Sequence, residues 1–69
     1  MITYQLTSKV TRSPRSLAGY FYQLEPGTLV HLVKECESGS VIVSTIENPA
    51  HRIPSEDLFE VKQSQISLA

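Results

Sequence analysis

The chain has 69 residues, six Lys or Arg against seven Asp or Glu, and 41 % hydrophobic residues, which bounds it to one small domain with a modest core. Its single cysteine, Cys36, excludes an intrachain disulfide and a cysteine-only zinc site. No apolar run approaches the roughly 20 residues of a membrane-spanning helix, and Met1 leads straight into polar residues, so a soluble cytoplasmic domain is expected.

Period-two patterning dominates from the start. Ile2, Tyr4 and Leu6 alternate with Thr3, Gln5 and Thr7, as a strand with one face on a core does. Thr7 to Ser16 reads as a long loop holding Lys9, Arg12 and Arg15 with no acidic residue. Tyr20, Tyr22 and Leu24 then alternate with Phe21 and Gln23. Pro26-Gly27 fits the central pair of a type II turn, because Gly27 can take the positive φ of the third position. Leu29 to Val33 and Val41 to Ile46 are short runs rich in β-branched residues. Glu37-Ser38-Gly39-Ser40 joins them as a hairpin loop with Gly39 in the left-handed region.

Asn48-Pro49 marks a further turn. Pro54 ends a strand by removing a ladder donor, and Ser55 caps a single-turn helix whose positive end suits Glu56 and Asp57. Phe59-Glu60-Val61-Lys62 resumes the alternation, and the polar stretch Gln63 to Ala69 reads as a loose tail. No window keeps a helical stripe for three turns. The prediction is an all-β domain over residues 1–62: five short strands forming a small barrel, with a one-turn helix before the last strand and a flexible tail at 63–69. Val30, Leu32, the Val41 to Val43 run, Ile53 and Leu58 are the predicted core. Phe21 and Leu29, of opposite parity, supply exposed apolar surface.

This order of elements resembles the SH3-like barrel over about residues 2–62. The segment Arg52-Ile53-Pro54-Ser55-Glu56-Asp57-Leu58 is similar to the isoleucine-proline-serine segment of eukaryotic SH3 domains, and Gly27 to Val33 is similar to their glycine-led central strand. The resemblance implies a long loop after the first strand, two tight hairpins and a one-turn helix before the last strand. It also implies a ligand groove to which Pro54 and one of Tyr20 and Tyr22 would belong. The binding face departs from the family: Val41-Ile42-Val43 stands where a tryptophan is usual, and Asp57 stands at the position of a ligand-stacking tyrosine. The long loop is basic where the family's is acidic, so polyproline recognition is not expected. A shorter stretch, Gly39 to Val43 followed by Asn48-Pro49-Ala50, is similar to part of the small carbon-storage-regulator RNA-binding proteins. Their basic valine-histidine-arginine segment is replaced here by Ile53-Pro54-Ser55.

Residues with reactive chemistry are few. Cys36 lies between Glu35 and Glu37, whose charge disfavours a thiolate. His31 sits in mid-strand and His51 at a turn beside Arg52, and positions 31, 36 and 51 match no metal-ligand spacing. Glu56-Asp57 fits a cap better than an acid–base pair. The three glycines, 19, 27 and 39, are too scattered for a phosphate loop. Neither an enzyme nor a cofactor is expected.

The charge is unevenly spread. Residues 1–34 carry four cations and one acid, while residues 35–69 carry two cations and six acids. Such halves either neutralise each other across paired strands or create a bipolar surface. On the second reading, Lys9, Arg12 and Arg15 with Tyr20, Tyr22 and Pro54 form the binding surface of an interaction module that docks on a larger protein. The alternative is weak nucleic-acid binding through the same loop, whose three phosphate contacts give a salt slope of only about −2.7. A homo-oligomer through an exposed edge strand is a further possible assembly, and no membrane partner is expected.

Overall fold

The computed structural model describes residues 2–13 and 19–69. Among them are seven strands: β1 (Thr3–Leu6), β2 (Val10–Arg12), β3 (Tyr22–Leu24), β4 (Leu29–Glu35), β5 (Ser40–Thr45), β6 (Leu58–Lys62) and β7 (Ile66–Leu68). Single 3-10 turns occur at Pro49–His51 and Gln63–Gln65. Five strands form one antiparallel sheet in the order β6-β5-β4-β1-β7, while β2 and β3 make a separate antiparallel ribbon. The all-β class stands. Among the described residues, however, β6 and β7 remain sheet edges and no pairing closes the ring.

The predicted turns form for the expected reasons. At Pro26-Gly27 the Thr28 N–H donates to the Glu25 carbonyl at 3.1 Å, and Gly27 has φ 94°. In the β4–β5 hairpin Cys36 N–H reaches Ser40 O at 2.9 Å and Gly39 takes φ 90°. Within β4 the register shifts between Leu32 and Lys34, which leaves Val33 unpaired and exposed although it belongs to an apolar run.

The core comprises Leu6, Tyr22, Leu24, Val30, Val41, Val43, Ile53, Phe59 and Val61, with Leu32 and Ile66 packed against it. Phe21 and Leu29 are exposed, as their parity implies. Leu58 departs from expectation. It stands opposite Ser44 on the outer face of the sheet and is 55 % exposed, while its neighbours Phe59 and Val61 turn inward against Val43 and Val41.

Three further differences concern segments with few apolar residues. Part of the predicted basic loop is strand β2, in which Val10, Thr11 and Arg12 pair with Leu24, Gln23 and Tyr22. No helix forms at Ser55 to Asp57. Glu56 adopts φ 58°, its N–H donates to Thr45 O at 3.1 Å, and Asp57 O accepts from Thr45 N–H at 3.0 Å, so the segment is a bend tied to the end of β5. A single turn does precede the last strand, but it is Gln63–Gln65 and the strand is β7.

That last point corrects the loose tail. Ile66, Ser67 and Leu68 pair with Leu6, Gln5 and Tyr4, and the ladder is extended by Thr7 N–H on Gln65 O at 2.8 Å. Gln65 Oε1 accepts from Lys62 N–H at 2.9 Å and fixes the turn between β6 and β7. A fully buried Leu6 explains why the strand is there: β1 needs a neighbour on its second side to shut that side chain from water.

Candidate functional site

Four of the six residues singled out in the sequence converge where the β2–β3 ribbon meets the segment entering β6. β2 ends at Arg12 and β3 begins at Tyr22, and these two residues face each other across the ribbon. Both reach Asp57. Arg12 Nε donates to Oδ2 at 3.0 Å and Nη2 to Oδ1 at 3.2 Å, a bidentate pair, and the Tyr22 hydroxyl donates to Oδ2. The Arg12 guanidinium also lies over the Phe59 ring, 4.8 Å from its centroid. Ionic, hydrogen-bonding and aromatic contacts thus converge on one arginine.

Tyr20 stands beside Tyr22 with ring centroids 5.8 Å apart, and its hydroxyl donates to the Arg52 carbonyl. Arg52 caps the Pro49–His51 turn in the left-handed conformation at φ 57°. The turn is closed by a two-way backbone exchange between Asn48 and Ile53 at 3.0 Å. Pro54 is half-buried, and its carbonyl accepts the Thr45 hydroxyl at 2.5 Å. The same Thr45 Oγ1 accepts from Asp57 N–H at 2.9 Å. One buried hydroxyl therefore ties Pro54 and Asp57 to β5. Lys9 is exposed and joins none of these contacts, and Arg15 lies outside the described residues.

The electrostatics are those of a fixed cluster. Burial pushes the Asp57 carboxyl up, but the Arg12 and Tyr22 hydrogen bonds and the Arg12 charge outweigh it and hold the carboxyl below its usual range. Arg12 is raised, first by its hydrogen bond to Asp57. Tyr22 is pushed well above the ordinary phenol range, by burial first and then by Asp57. Near neutral pH the carboxylate is ionised and the phenol protonated, so Asp57 accepts and Arg12 and Tyr22 donate in every bond of the cluster. The charge of Arg12 is spent inside the fold.

Asp57, Thr45, Arg52 and Phe59 are the members that sequence reasoning did not place in the site. Among the described residues no group of three His, Cys, Asp or Glu comes together in a way that could hold a metal ion. Cys36 is half-buried in the β4–β5 hairpin. No protein family, curated protein or solved structure matches the chain.

Replacing Thr45 by valine keeps the shape and removes the hydroxyl that serves both Pro54 and Asp57. With Thr45 only 3 % exposed, the Asp57 N–H loses its partner, and a cost of about 1–2 kcal/mol is expected in urea unfolding. An unchanged midpoint would remove Thr45 from the cluster.

Proposed function

We propose that the chain is a non-catalytic interaction domain with an SH3-like arrangement that docks on a larger protein through the base of its β2–β3 ribbon. The observation that carries this reading is Phe21, 69 % exposed and set between two tyrosines whose hydroxyls are both anchored, on Arg52 and on Asp57. A large exposed ring on a rigid mount loses little freedom on binding, which is what a docking hot spot requires. Exposed Arg52 is the described cation beside this face; Lys9 is exposed at the far end of the ribbon, before Val10, and Arg15 belongs to the segment that joins the two strands. Arg12, Tyr22 and Pro54 serve the face from beneath by holding its shape.

What supports the SH3-like part is the order of elements within residues 2–62: a long ribbon-bearing segment after β1 and a tight β4–β5 hairpin. Protein is favoured over nucleic acid because Asp57 already neutralises Arg12, which among the described residues is the basic-loop cation mounted on the aromatic cluster. Fewer free cations mean fewer phosphate contacts and a smaller salt-dependent gain.

The test is affinity capture from the native host with the wild-type chain, a Phe21→Ser/Arg52→Glu variant and a Glu37→Lys control on the β4–β5 loop. Both altered side chains are exposed, and Arg52 serves the fold through its backbone N–H and carbonyl, so the double variant is expected to stay folded. A protein recovered by the wild type and the control but lost with the double variant is the expected result. Equal recovery with all three overturns the reading. Oligonucleotide binding at low salt that disappears with Lys9→Glu would replace it with the nucleic-acid alternative.

A further inference from the structure

A second surface, which contains none of Phe21, Tyr20, Tyr22 and Arg52, lies between the Pro26-Gly27 turn and the loop that follows β5. It is an open groove of about 420 Å³. Pro26, Leu29, Ile46 and Ile53 give it an apolar lining, and Glu25 and Glu47 bring a carboxylate from each of the two walls. Ile53 is buried beneath it while Leu29 remains 49 % exposed, so the apolar lining runs from the core out to solvent. No lysine or arginine lines the groove. The one ion pair among the described residues is Arg12–Asp57, so neither Glu25 nor Glu47 is paired there.

We infer that this groove takes an extended segment of a partner protein that presents an arginine flanked by apolar residues. The charge decides the occupant. Two carboxylates without an ion-pair partner among the described residues repel an acidic peptide or a phosphate backbone and favour a cation. The apolar lining selects a cation with a hydrocarbon stem, which packs on Leu29 and Ile46 while its charged head stays at the wetter rim. A guanidinium suits two separated carboxylates because its planar fork donates in more than one direction. The groove volume lies within the range of sites that bind a small ligand or a few side chains. This inference does not rest on the ribbon-face proposal, and either can fail alone.

The experiment is an amide NMR titration of the full chain with an end-capped hexapeptide alternating leucine and arginine. The comparison peptide carries citrulline, neutral and nearly isosteric, in place of arginine. Shifts concentrated at residues 25–29 and 46–53 are expected, with affinity at least tenfold weaker for the citrulline peptide. The Glu25→Gln/Glu47→Gln variant is expected to lose at least tenfold with the arginine peptide. It should retain the fold, because the Glu25 backbone carbonyl, and not its side chain, accepts from Thr28 N–H at 3.1 Å and Thr28 Oγ1 at 2.6 Å. Absence of binding, equal affinity for the two peptides, undiminished binding by the double variant, or shifts centred elsewhere would each overturn the inference. Groove shifts that grow with protein concentration alone would assign the site to a second copy of the chain and overturn it as well.

Discussion

Asp57→Ala is expected to lower the unfolding free energy by about 2 kcal/mol and the melting temperature by about 10 °C, read by thermal and urea unfolding. The carboxylate is the shared acceptor of Arg12 and Tyr22, so its loss leaves a guanidinium and a phenol without their partner. Fully buried pairs broken from one side cost about 3–5 kcal/mol. Here the side chain of Arg12 is 25 % exposed against 11 % for Asp57, and water reaching the arginine moderates the penalty. Arg12→Met is expected to cost less than Asp57→Ala, because the Tyr22 hydroxyl still satisfies the remaining carboxylate. A double-mutant cycle between positions 12 and 57 should give a coupling of about 1–2 kcal/mol. A loss below about 0.5 kcal/mol for Asp57→Ala would reduce the cluster to an ordinary surface ion pair.

The same residue fixes the acid limb of stability. Its pKa in the folded chain lies below the ordinary 3.8, so its contribution is present above that value and is lost as pH falls through the folded pKa. Asp57→Asn removes this part of the slope and should flatten the unfolding midpoint below about pH 4. Tyr22 acts at the other end. Its pKa is raised above the ordinary 10.0, so its contribution is complete below pH 10 and declines above it, a decline that Tyr22→Phe abolishes.

The parts of the fold legible in the sequence are those with dense local signals. The β-branched runs of β4 and β5 and the glycines at 27 and 39 each identify a strand or a turn within a few residues. Strands β2 and β7 are three residues each, with one and two apolar side chains, which is too little to show a period. Their stability comes from partners 10 to 64 positions away, on β3 and β1. Leu58 misleads for a related reason. It follows an irregular segment containing Pro54 and a left-handed Glu56, and parity cannot be counted through such a segment. The site divides similarly. The aromatic pair at 20 and 22 is local and legible. The bond from Arg12 to Asp57 spans 45 residues, and its trace in the sequence is the opposite charge of the two halves. At this pair the halves neutralise each other inside the molecule.

Ending the chain after Lys62 is expected to cost about 2–4 kcal/mol, although the removed residues are mostly polar and read as a tail. The truncation deletes β7, the ladder bonds to β1, the Thr7 N–H bond to Gln65 O, and the Thr7 hydroxyl bond to Ser64 O at 2.9 Å. It also uncovers Leu6, which is 1 % exposed in the intact chain. A core in a domain this size rarely supplies more than about 3–5 kcal/mol, so the shortened chain should be largely unfolded or aggregated at 25 °C. Aggregation is expected because β1 would become an unprotected edge carrying Tyr4 and Leu6. Two point variants separate a structural strand from a general effect of shortening. Ile66 packs against the core, so Ile66→Ser should cost about 1–2 kcal/mol. Leu68 is 68 % exposed, so Leu68→Ser should change the urea midpoint by less than about 0.5 kcal/mol. A loose tail would leave all three midpoints unchanged, whereas a strand grades them in the order of what each side chain covers.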